Sequence, residues 1–388
     1  MVRLAGSAKL LRAMNESAAL GHLLDGGSLT RNDLRELTGL SKPTTSEVLR
    51  RLTEAGLAVV TGHTSGGPGP NAEIYAANPD AAYAVAVSLR ETVVTPRPAL
   101  AVALSDLTGT TRARAELAVD LDGGSLAETI RAAIVGQCAD AGVPVHRVRQ
   151  VQLAVPGAYN PRTDRIHHVH VPGLDRPGLV ADLRHALGVP VLVDNDVNLA
   201  AVAERRRGVA GTADSFVLLW FGEGLGLAID LGGTLLRGAS GGAGEIGYIT
   251  LGLSPATGPQ PDLHDVIGGH AVLALAKEHG IDADTPGGAV AQATPAMLAE
   301  LAARIAVGLA VVIAVLDPAL VVLAGEVGQA GGPALQDAVA AATGTVGSPG
   351  TRIAVTGIAD DAVLLGALDA ALAEVREELI HNLHKLTS

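Results

Sequence analysis

The chain has 388 residues, 48% of them hydrophobic and 2% aromatic, so it can form two or three domains with cores of Ala, Val and Leu. A formal net charge of −12 excludes a protein that coats nucleic acid with its whole surface. The single cysteine, Cys138, excludes an intrachain disulfide framework, and we expect it to be a small buried side chain.

The N-terminal segment differs from the rest of the chain in charge. Its first 14 residues include scattered basic residues but no apolar stretch, so no signal peptide is predicted. Residues 1–62 carry a net charge of +2, and the remaining residues carry −14. A small basic module on an acidic body is typical of a protein that contacts DNA through one part only.

Three short helical patterns follow one another in this segment. The first covers residues 16–24, and Thr30 is the expected N-cap of the second, which ends at Gly39. Ser41 is the expected N-cap of the third, at residues 42–55, with a proline in its first turn. Their apolar residues can close a small core, which we expect to contain Leu34, Leu37, Leu40, Val48, Leu49, Leu52 and Leu57.

A tight turn and a hairpin complete the module. Thr38, Gly39 and Leu40 form the short connection that is typical of a helix-turn-helix. Strand patterns at residues 57–60 and 72–77 flank a tip at 62–70 that is rich in glycine and proline. We therefore predict a winged helix-turn-helix DNA-binding domain at residues 1–80.

The third helix is expected to enter the major groove of DNA with its first residues at the base edges. The predicted DNA-binding residues are Lys42, Pro43, Thr44, Thr45, Ser46, Arg50 and Arg51. The two arginines follow one or two turns later and are expected at phosphates. The wing tip has no Lys or Arg, so it offers no positive charge to the minor groove. A three-helix domain that binds protein is the alternative.

From about residue 81 the pattern changes to strands that alternate with helices, which predicts an α/β architecture. The apolar runs that predict strands are at residues 83–87, 100–104, 151–155, 189–193, 216–221, 226–229 and 320–323. Helices are predicted at residues 125–141, 178–187, 198–207, 270–278, 295–316 and 362–378. The longest apolar run, residues 305–316, is too short to cross a bilayer, so we expect a cytoplasmic protein without a membrane partner.

Two segments of the body combine polar groups with small residues. Residues 191–204, VLVDNDVNLAAVAE, form a buried strand that ends in carboxylates and amides and opens a helix. Such strand ends commonly bind ligands, and ordinary capping of the helix by Asn195 or Asp196 is the alternative. Residues 222–247 are rich in glycine, which indicates close approach of the backbone to a ligand or to another strand.

Together these segments resemble the ROK family, which groups sugar-responsive repressors with sugar kinases. The resemblance covers the winged module, VPG at 155–157, DNDVN at 194–198, the spacing to Glu204, and GxGxG followed by GAGEIG at 242–247. It implies a two-lobed, actin-like ATPase fold at residues 81–388, usually dimeric or tetrameric. Lobe 1 is expected at about 81–197 plus the C-terminal helix, and lobe 2 at about 198–360.

The resemblance also implies site residues. Family kinases use an aspartate at the position of Asp196 as the general base toward a sugar hydroxyl, and the positions of Asn195 and Glu245 hold sugar hydroxyls. A further sugar-binding glutamate of the family falls at about His264, near Asp265, where the histidine could donate to a hydroxyl; a solvated loop histidine is the alternative. Because a carboxylate beside a hydroxyl serves phosphoryl transfer and simple binding equally well, Asp196 is also compatible with a relic base in a sugar sensor.

The phosphate-binding features of the family kinases are missing. Residues 87–98 replace the family's DxGGT-like loop, with Ser88 at the position of the aspartate and no glycine. Glu223 replaces a small hydroxyl residue, and the segment 323–327 replaces a more glycine-rich turn. The DLGGT sequence at 230–234 is expected to be a hairpin turn. We therefore expect no catalysis and no cofactor.

The zinc ligands of the family have no counterpart either. Tyr248 stands near the position of the family's histidine, and residues 251–263 contain no cysteine, so no metal is expected. The sequence predicts a transcriptional regulator, a repressor, that binds operator DNA as a homodimer or a dimer of dimers and senses a small sugar or sugar derivative. The alternatives are an active sugar kinase with a DNA-binding module and a regulator whose body only dimerises.

Overall fold

A computed structural model describes residues 3–64, 72–90, 99–119, 125–167, 174–251, 260–344 and 350–385. A small helical module with a three-stranded sheet, here called the head, precedes a body with two five-stranded sheets. The predicted α/β class is therefore confirmed. The predicted wing tip and the predicted replacement for the DxGGT-like loop fall largely on residues 65–71 and 91–98, which lie outside the described residues.

The head is a winged helix-turn-helix. Its elements are α1 (Arg3–Gly26), β1 (Leu29–Thr30), α2 (Arg31–Thr38), α3 (Lys42–Glu54), β2 (Ala58–His63) and β3 (Glu73–Ala77). The strands pair antiparallel in the order β1-β3-β2. Helix α1 begins well before the predicted start because its early residues are mostly Ala, Leu, Lys and Arg, which favour helix.

Local sequence fixes the helix ends of the head as predicted. The Thr30 hydroxyl accepts a hydrogen bond from the amide of Asp33, whose carboxylate accepts one from the Thr30 amide at 2.8 Å. Gly39 ends α2 with a φ of 67°, which suits glycine. Ser41 caps α3 through the amide of Thr44. The Gly39 and Ser41 caps therefore define the two ends of the turn between α2 and α3.

The core of the head draws on two distant parts of the chain. Leu20, Leu23 and Leu49 are fully buried in it, and Leu383 from the C-terminal helix packs into the same cluster. The prediction that Leu37 belongs to this core is wrong, because its side chain is 53% exposed. Within the short helix α2 only Leu34 is buried.

The first sheet of the body follows the head. Its strands are β4 (Tyr83–Arg90), β5 (Ala99–Asp106), β6 (Thr111–Ala118), β7 (Val148–Val155) and β10 (Val191–Asn195), in the order β10-β7-β4-β5-β6. Strands β8 (Ala158–Asn160) and β9 (Arg165–His167) form a separate hairpin. Helices α4 (Leu126–Asp140) and α5 (Leu179–Leu187) share a core with this sheet. Cys138 is buried there, as expected, and burial raises the pKa of its thiol.

The second sheet has the order β13-β12-β11-β14-β15. Its strands are β11 (Ser215–Phe221), β12 (Leu225–Leu231), β13 (Thr234–Leu235), β14 (Leu320–Ala324) and β15 (Arg352–Val355). The helices packed against it are α7 (Leu263–Ile267), α8 (Gly269–Glu278), α9 (Pro286–Ala291), α10 (Pro295–Leu316) and α11 (Gly325–Gly344). Within the described parts of the chain, α10 alone is long and apolar enough to span a membrane, and its inner face lies in this core.

Two helices lie between the sheets: α6 (Asp196–Arg207) and α12 (Ala362–Lys385). On α6, Leu199 packs with Ala86 of the first sheet, whereas Val197 packs with Phe216 of the second. A side chain at Gly366 of α12 would lie 1.7 Å from the Leu199 carbonyl oxygen, so glycine permits the two helices to touch. The expected lobe boundary at 197–198 falls inside α6, which packs against both sheets.

Candidate functional site

A cleft with a volume of about 770 Å³ lies between the two sheets, next to the N-terminus of α6. This size is typical of small-molecule sites. The four predicted ligand-binding residues, Asn195, Asp196, Glu245 and His264, all line the cleft. Residues from three segments that are far apart in the sequence are therefore brought together.

Asn195 is the N-cap of α6. Its side-chain carbonyl accepts hydrogen bonds from the amides of Val197 at 2.9 Å and Asn198 at 3.2 Å, and its amide donates to the Gly157 carbonyl at 3.2 Å. Ordinary capping, the alternative interpretation of this motif, thus accounts for most of its hydrogen-bonding capacity. Asn195 links the VPG turn to α6, and its role toward a ligand stays a prediction.

Asp194 and Arg237 form an anchor that the sequence motifs do not predict. The buried Asp194 carboxylate accepts hydrogen bonds from Asn198 at 3.0 Å and from the Arg237 guanidinium at 2.7 and 2.9 Å. Arg237 begins the glycine-rich loop that leads to Glu245. The ion pair therefore ties that loop to the end of β10, and it was missed because its partners are 43 residues apart.

Asp196 opens α6 with its carboxylate facing the cleft. Burial raises the pKa of this carboxyl to about 7, and the nearby Glu245 carboxylate adds to the increase. A hydrogen bond from the Val197 amide at 2.8 Å acts in the opposite direction and lowers this pKa. Because an ordinary aspartate loses its proton near pH 4, the folded state loses stability relative to the unfolded state as the pH rises from about 4 to 7.

Glycines in the segment 222–247 allow its backbone to pack closely against neighbouring parts of the protein. A Cβ at Gly226 would lie 2.8 Å from Cγ2 of Val197, so β12 can cross α6 closely. Gly244 has a φ of 92°, and a Cβ there would lie 1.8 Å from the Leu227 carbonyl oxygen. These two glycines therefore serve packing between strand, helix and loop, and Glu245 is positioned as a result.

His264 lies at the edge of the cleft on α7. Its ring is 5.2 Å from that of Tyr248, measured between centroids, and the rings are tilted by 60°. A Cβ at Gly247 would collide with the His264 ring, so glycine makes room for it. The histidine thus faces the same loop that carries Glu245.

The DLGGT sequence forms the β12–β13 turn, as predicted. The buried Asp230 carboxylate accepts a hydrogen bond from Arg205 at 2.6 Å and one from the Gly233 amide at 2.8 Å. These bonds close the hairpin and tie it to α6. This aspartate therefore has a structural role, and it does not line the cleft.

The cleft is lined by three positions at which the sequence differs from the phosphate-binding motifs of the family: Ser88, Glu223 and the segment after β14. The end of β4 also contributes Arg90, which forms an ion pair with Asp361 at the start of α12. Arg114 binds the same carboxylate at 2.6 Å. Among the described residues, no three His, Cys, Asp or Glu side chains are arranged to hold a metal ion.

The residues of the head that were predicted to bind DNA differ in exposure. At the start of α3, Lys42 and Pro43 are exposed, whereas Thr44 and Ser46 are half-buried. The Thr44 hydroxyl shares a hydrogen bond with Ser41 at 2.8 Å, and that of Ser46 donates to the Lys42 carbonyl at 3.0 Å. Both hydroxyls are thereby held in place at the start of the helix.

Two predictions on α3 are wrong. Thr45 is fully buried and donates its hydroxyl to the Ser41 carbonyl at 3.1 Å, so it cannot reach a base edge. Arg51 is 12% exposed and its Nε lies 2.8 Å from the buried Glu16 carboxylate. Arg51 therefore joins α3 to α1 inside the head and is not presented to phosphates.

Arg50 is on the surface, 54% exposed, and lies between two carboxylates of its own helix. Its guanidinium is 2.6 Å from Glu47 and 2.6 Å from Glu54. Exposed ion pairs of this kind are weak, so a phosphate can compete for the arginine. The expected phosphate contact stays a prediction.

A two-lobed, actin-like body with a cleft between its sheets, joined to a winged helix-turn-helix, defines the class of protein. The ROK family model matches residues 97–374, and the MarR family model matches residues 11–67. Because the first match covers more than half of the sequence, the chain belongs to the ROK family.

Individual relatives include both kinases and repressors. A glucokinase from Halalkalibacterium halodurans is 38% identical over 102 residues, which cover 26% of this chain and 31% of the relative. A xylose repressor from Caldicellulosiruptor bescii is 24% identical over 250 residues, 63% of this chain and 61% of the relative. The chain thus spans between about a third and three fifths of these curated relatives.

Solved structures agree on the fold. A ROK family transcriptional regulator, a homologue of the E. coli MLC protein, superposes with a TM-score of 0.71 at 20% identity. The superposition covers 97% of this chain, and therefore the head, and 98% of the regulator. A ROK hexokinase from Thermus thermophilus gives a TM-score of 0.62 at 26% identity and covers 76% of this chain and 99% of its own.

Proposed function

We propose that this protein is a DNA-binding transcriptional repressor whose body senses a small ligand. The observation that carries the proposal is the head: its capped helix α3 presents Lys42 and Pro43 to solvent at the end that enters a major groove. The similarity to xylose repressors over most of the chain supports repression. The protein then acts in the cytoplasm, on operator DNA.

The proposal includes a homodimer. Each chain has one recognition helix, and a two-fold operator with half-sites a whole number of helical turns apart matches two such helices. The route from ligand to DNA is the helix α12. It begins beside the cleft at Asp361 and Ala362 and reaches the core of the head at Leu379 and Leu383. A ligand that shifts the start of α12 changes the placement of the head.

Lys42→Ala is expected to reduce discrimination between operator and random DNA, because a lost base contact costs about 1–3 kcal/mol. The matched control is Arg50→Ala, which should weaken both kinds of DNA about equally, since a phosphate contact carries no sequence information. Footprinting and titrations at fixed salt measure both effects on an operator selected from random DNA. Protection of one asymmetric half-site by a monomer, or altered specificity in Arg50→Ala alone, would contradict the proposal.

We further expect no ATP-dependent sugar phosphorylation. Phosphoryl transfer depends on positioning and on charge stabilisation. Ser88, Glu223 and the Arg90–Asp361 pair line the cleft, and the resemblance to the ROK kinases implies phosphate-binding groups at the positions of Ser88 and Glu223. One misplaced carboxylate about 4 Å from a phosphate costs about 4 kcal/mol. A coupled assay with hexoses should stay at background for the wild type and for Asp196→Asn alike. A sugar phosphate that forms in the wild type and is lost in Asp196→Asn would establish a kinase.

A further inference from the structure

The charges that line the cleft are strongly unbalanced. Among its described lining residues the carboxylates are Glu116, Asp196, Glu223, Glu245, Glu326, Asp360 and Asp361. The lining contains one arginine, Arg90, and two histidines within the same described set. An excess of one charge in a cleft with low-dielectric walls focuses the field on whatever enters it.

The arginine does not balance this excess. Arg90 forms ion pairs with Asp361 and, at 3.7 Å, with Glu116, and Arg114 also binds Asp361. These ion pairs form a local group at the start of α12. By contrast, Glu326 and Asp360 form no ion pair with any described cationic side chain. The remaining field in the cleft is therefore negative.

Ser88 supplies a second and independent indication of a ligand. Its side chain is 1% exposed and lines the cleft at the end of β4. Its hydroxyl has no hydrogen-bond partner among the described residues. A buried hydroxyl is normally satisfied by a partner, so this one is available to a ligand that carries N–H or O–H groups.

We propose that the cleft binds a hydroxylated amine, such as an amino sugar in its ammonium form. The proposal rests on the proposed sensing function and names the chemical class of the effector. The ligand hydroxyls face Asp196 and Glu245, and the ammonium group donates toward Ser88 and the Glu326 side of the cleft. An ammonium group has three donors and a positive charge, which match acceptors and a negative field. Sugar phosphates and nucleotides carry the opposite charge and are rejected.

The test is calorimetric titration of the full-length protein at pH 6.5 and low salt. The probes are glucosamine, mannosamine and galactosamine, each compared with its parent hexose, together with glucose 6-phosphate. We expect at least one amine to bind at least tenfold more tightly than its parent sugar, and the phosphate to bind more weakly than either. Equal or tighter binding of the parent sugars, tighter binding of the phosphate, or no binding by any of the three amines overturns the proposal.

Two variants locate the effect. Glu326→Gln removes a charge and keeps the shape, so it should weaken the amine about five- to tenfold and leave the parent sugar unchanged. Ser88→Ala should weaken the amine, whereas Glu377→Gln, on the exposed surface of α12, should change neither. An amine that binds Glu326→Gln and Ser88→Ala as tightly as the wild type also overturns the proposal. Operator binding by the same preparations separates this outcome from failure of the regulator proposal.

Discussion

Arg51→Ala is expected to destabilise the head by about 3–5 kcal/mol, although the substitution lies on the helix that faces DNA. Its guanidinium contacts the Glu16 carboxylate at 2.8 Å, and that carboxylate is 1% exposed. Removal of the arginine takes away the cation that lies 2.8 Å from this buried carboxylate. Hydrogen exchange of the amides in α1 and α3 measures the loss directly, because it reports the head separately from the body.

The neighbouring arginine is the matched control. Arg50→Ala removes only exposed ion pairs, so it should leave the stability of the head nearly unchanged. The double variant Glu16→Leu with Arg51→Leu should recover most of the stability, since an apolar pair can replace a buried ion pair. If Arg51→Ala exchanged like the wild type, or if the double variant were worse than the single one, the buried ion pair would not be what joins α1 to α3.

Leu383→Ala is expected to weaken operator binding although it lies far from the recognition helix in sequence. The side chain is 6% exposed and packs into the head core with Leu20 and Leu52. Truncation of a buried leucine costs about 2–5 kcal/mol. Operator titration and amide exchange in α3 measure the effect, and His381→Ala, on the exposed side of the same helix, should leave both unchanged. Equal behaviour of the two variants would show that the head folds without α12.

Elements with strong local signals could be predicted from the sequence. The N-caps Thr30 and Ser41 and the apolar strands of both sheets lie where they were expected. Strand β6 was missed because its residues, TRARAELA, are mostly exposed at a sheet edge and carry charges. Helix α11 was missed because it contains a kink at Gly332 followed by Pro333.

The roles of the individual site residues could not be predicted from the sequence alone. The motif at 194–198 indicated a polar strand end, and the structure places it at the cleft. Which of its polar groups remain for a ligand depends on tertiary partners, such as Gly157 for Asn195 and Arg237 for Asp194. Likewise, helical spacing alone cannot distinguish an arginine that faces DNA from one that turns inward to Glu16.

The packing of Leu379, Ile380 and Leu383 onto the head has a consequence for synthesis on the ribosome. These residues follow the head by about 300 positions, so the nascent head leaves the exit tunnel with part of its apolar surface uncovered. A chain whose translation stops before Leu383 carries a complete recognition helix on an unfinished core. We therefore expect premature fragments to compete poorly for the operator.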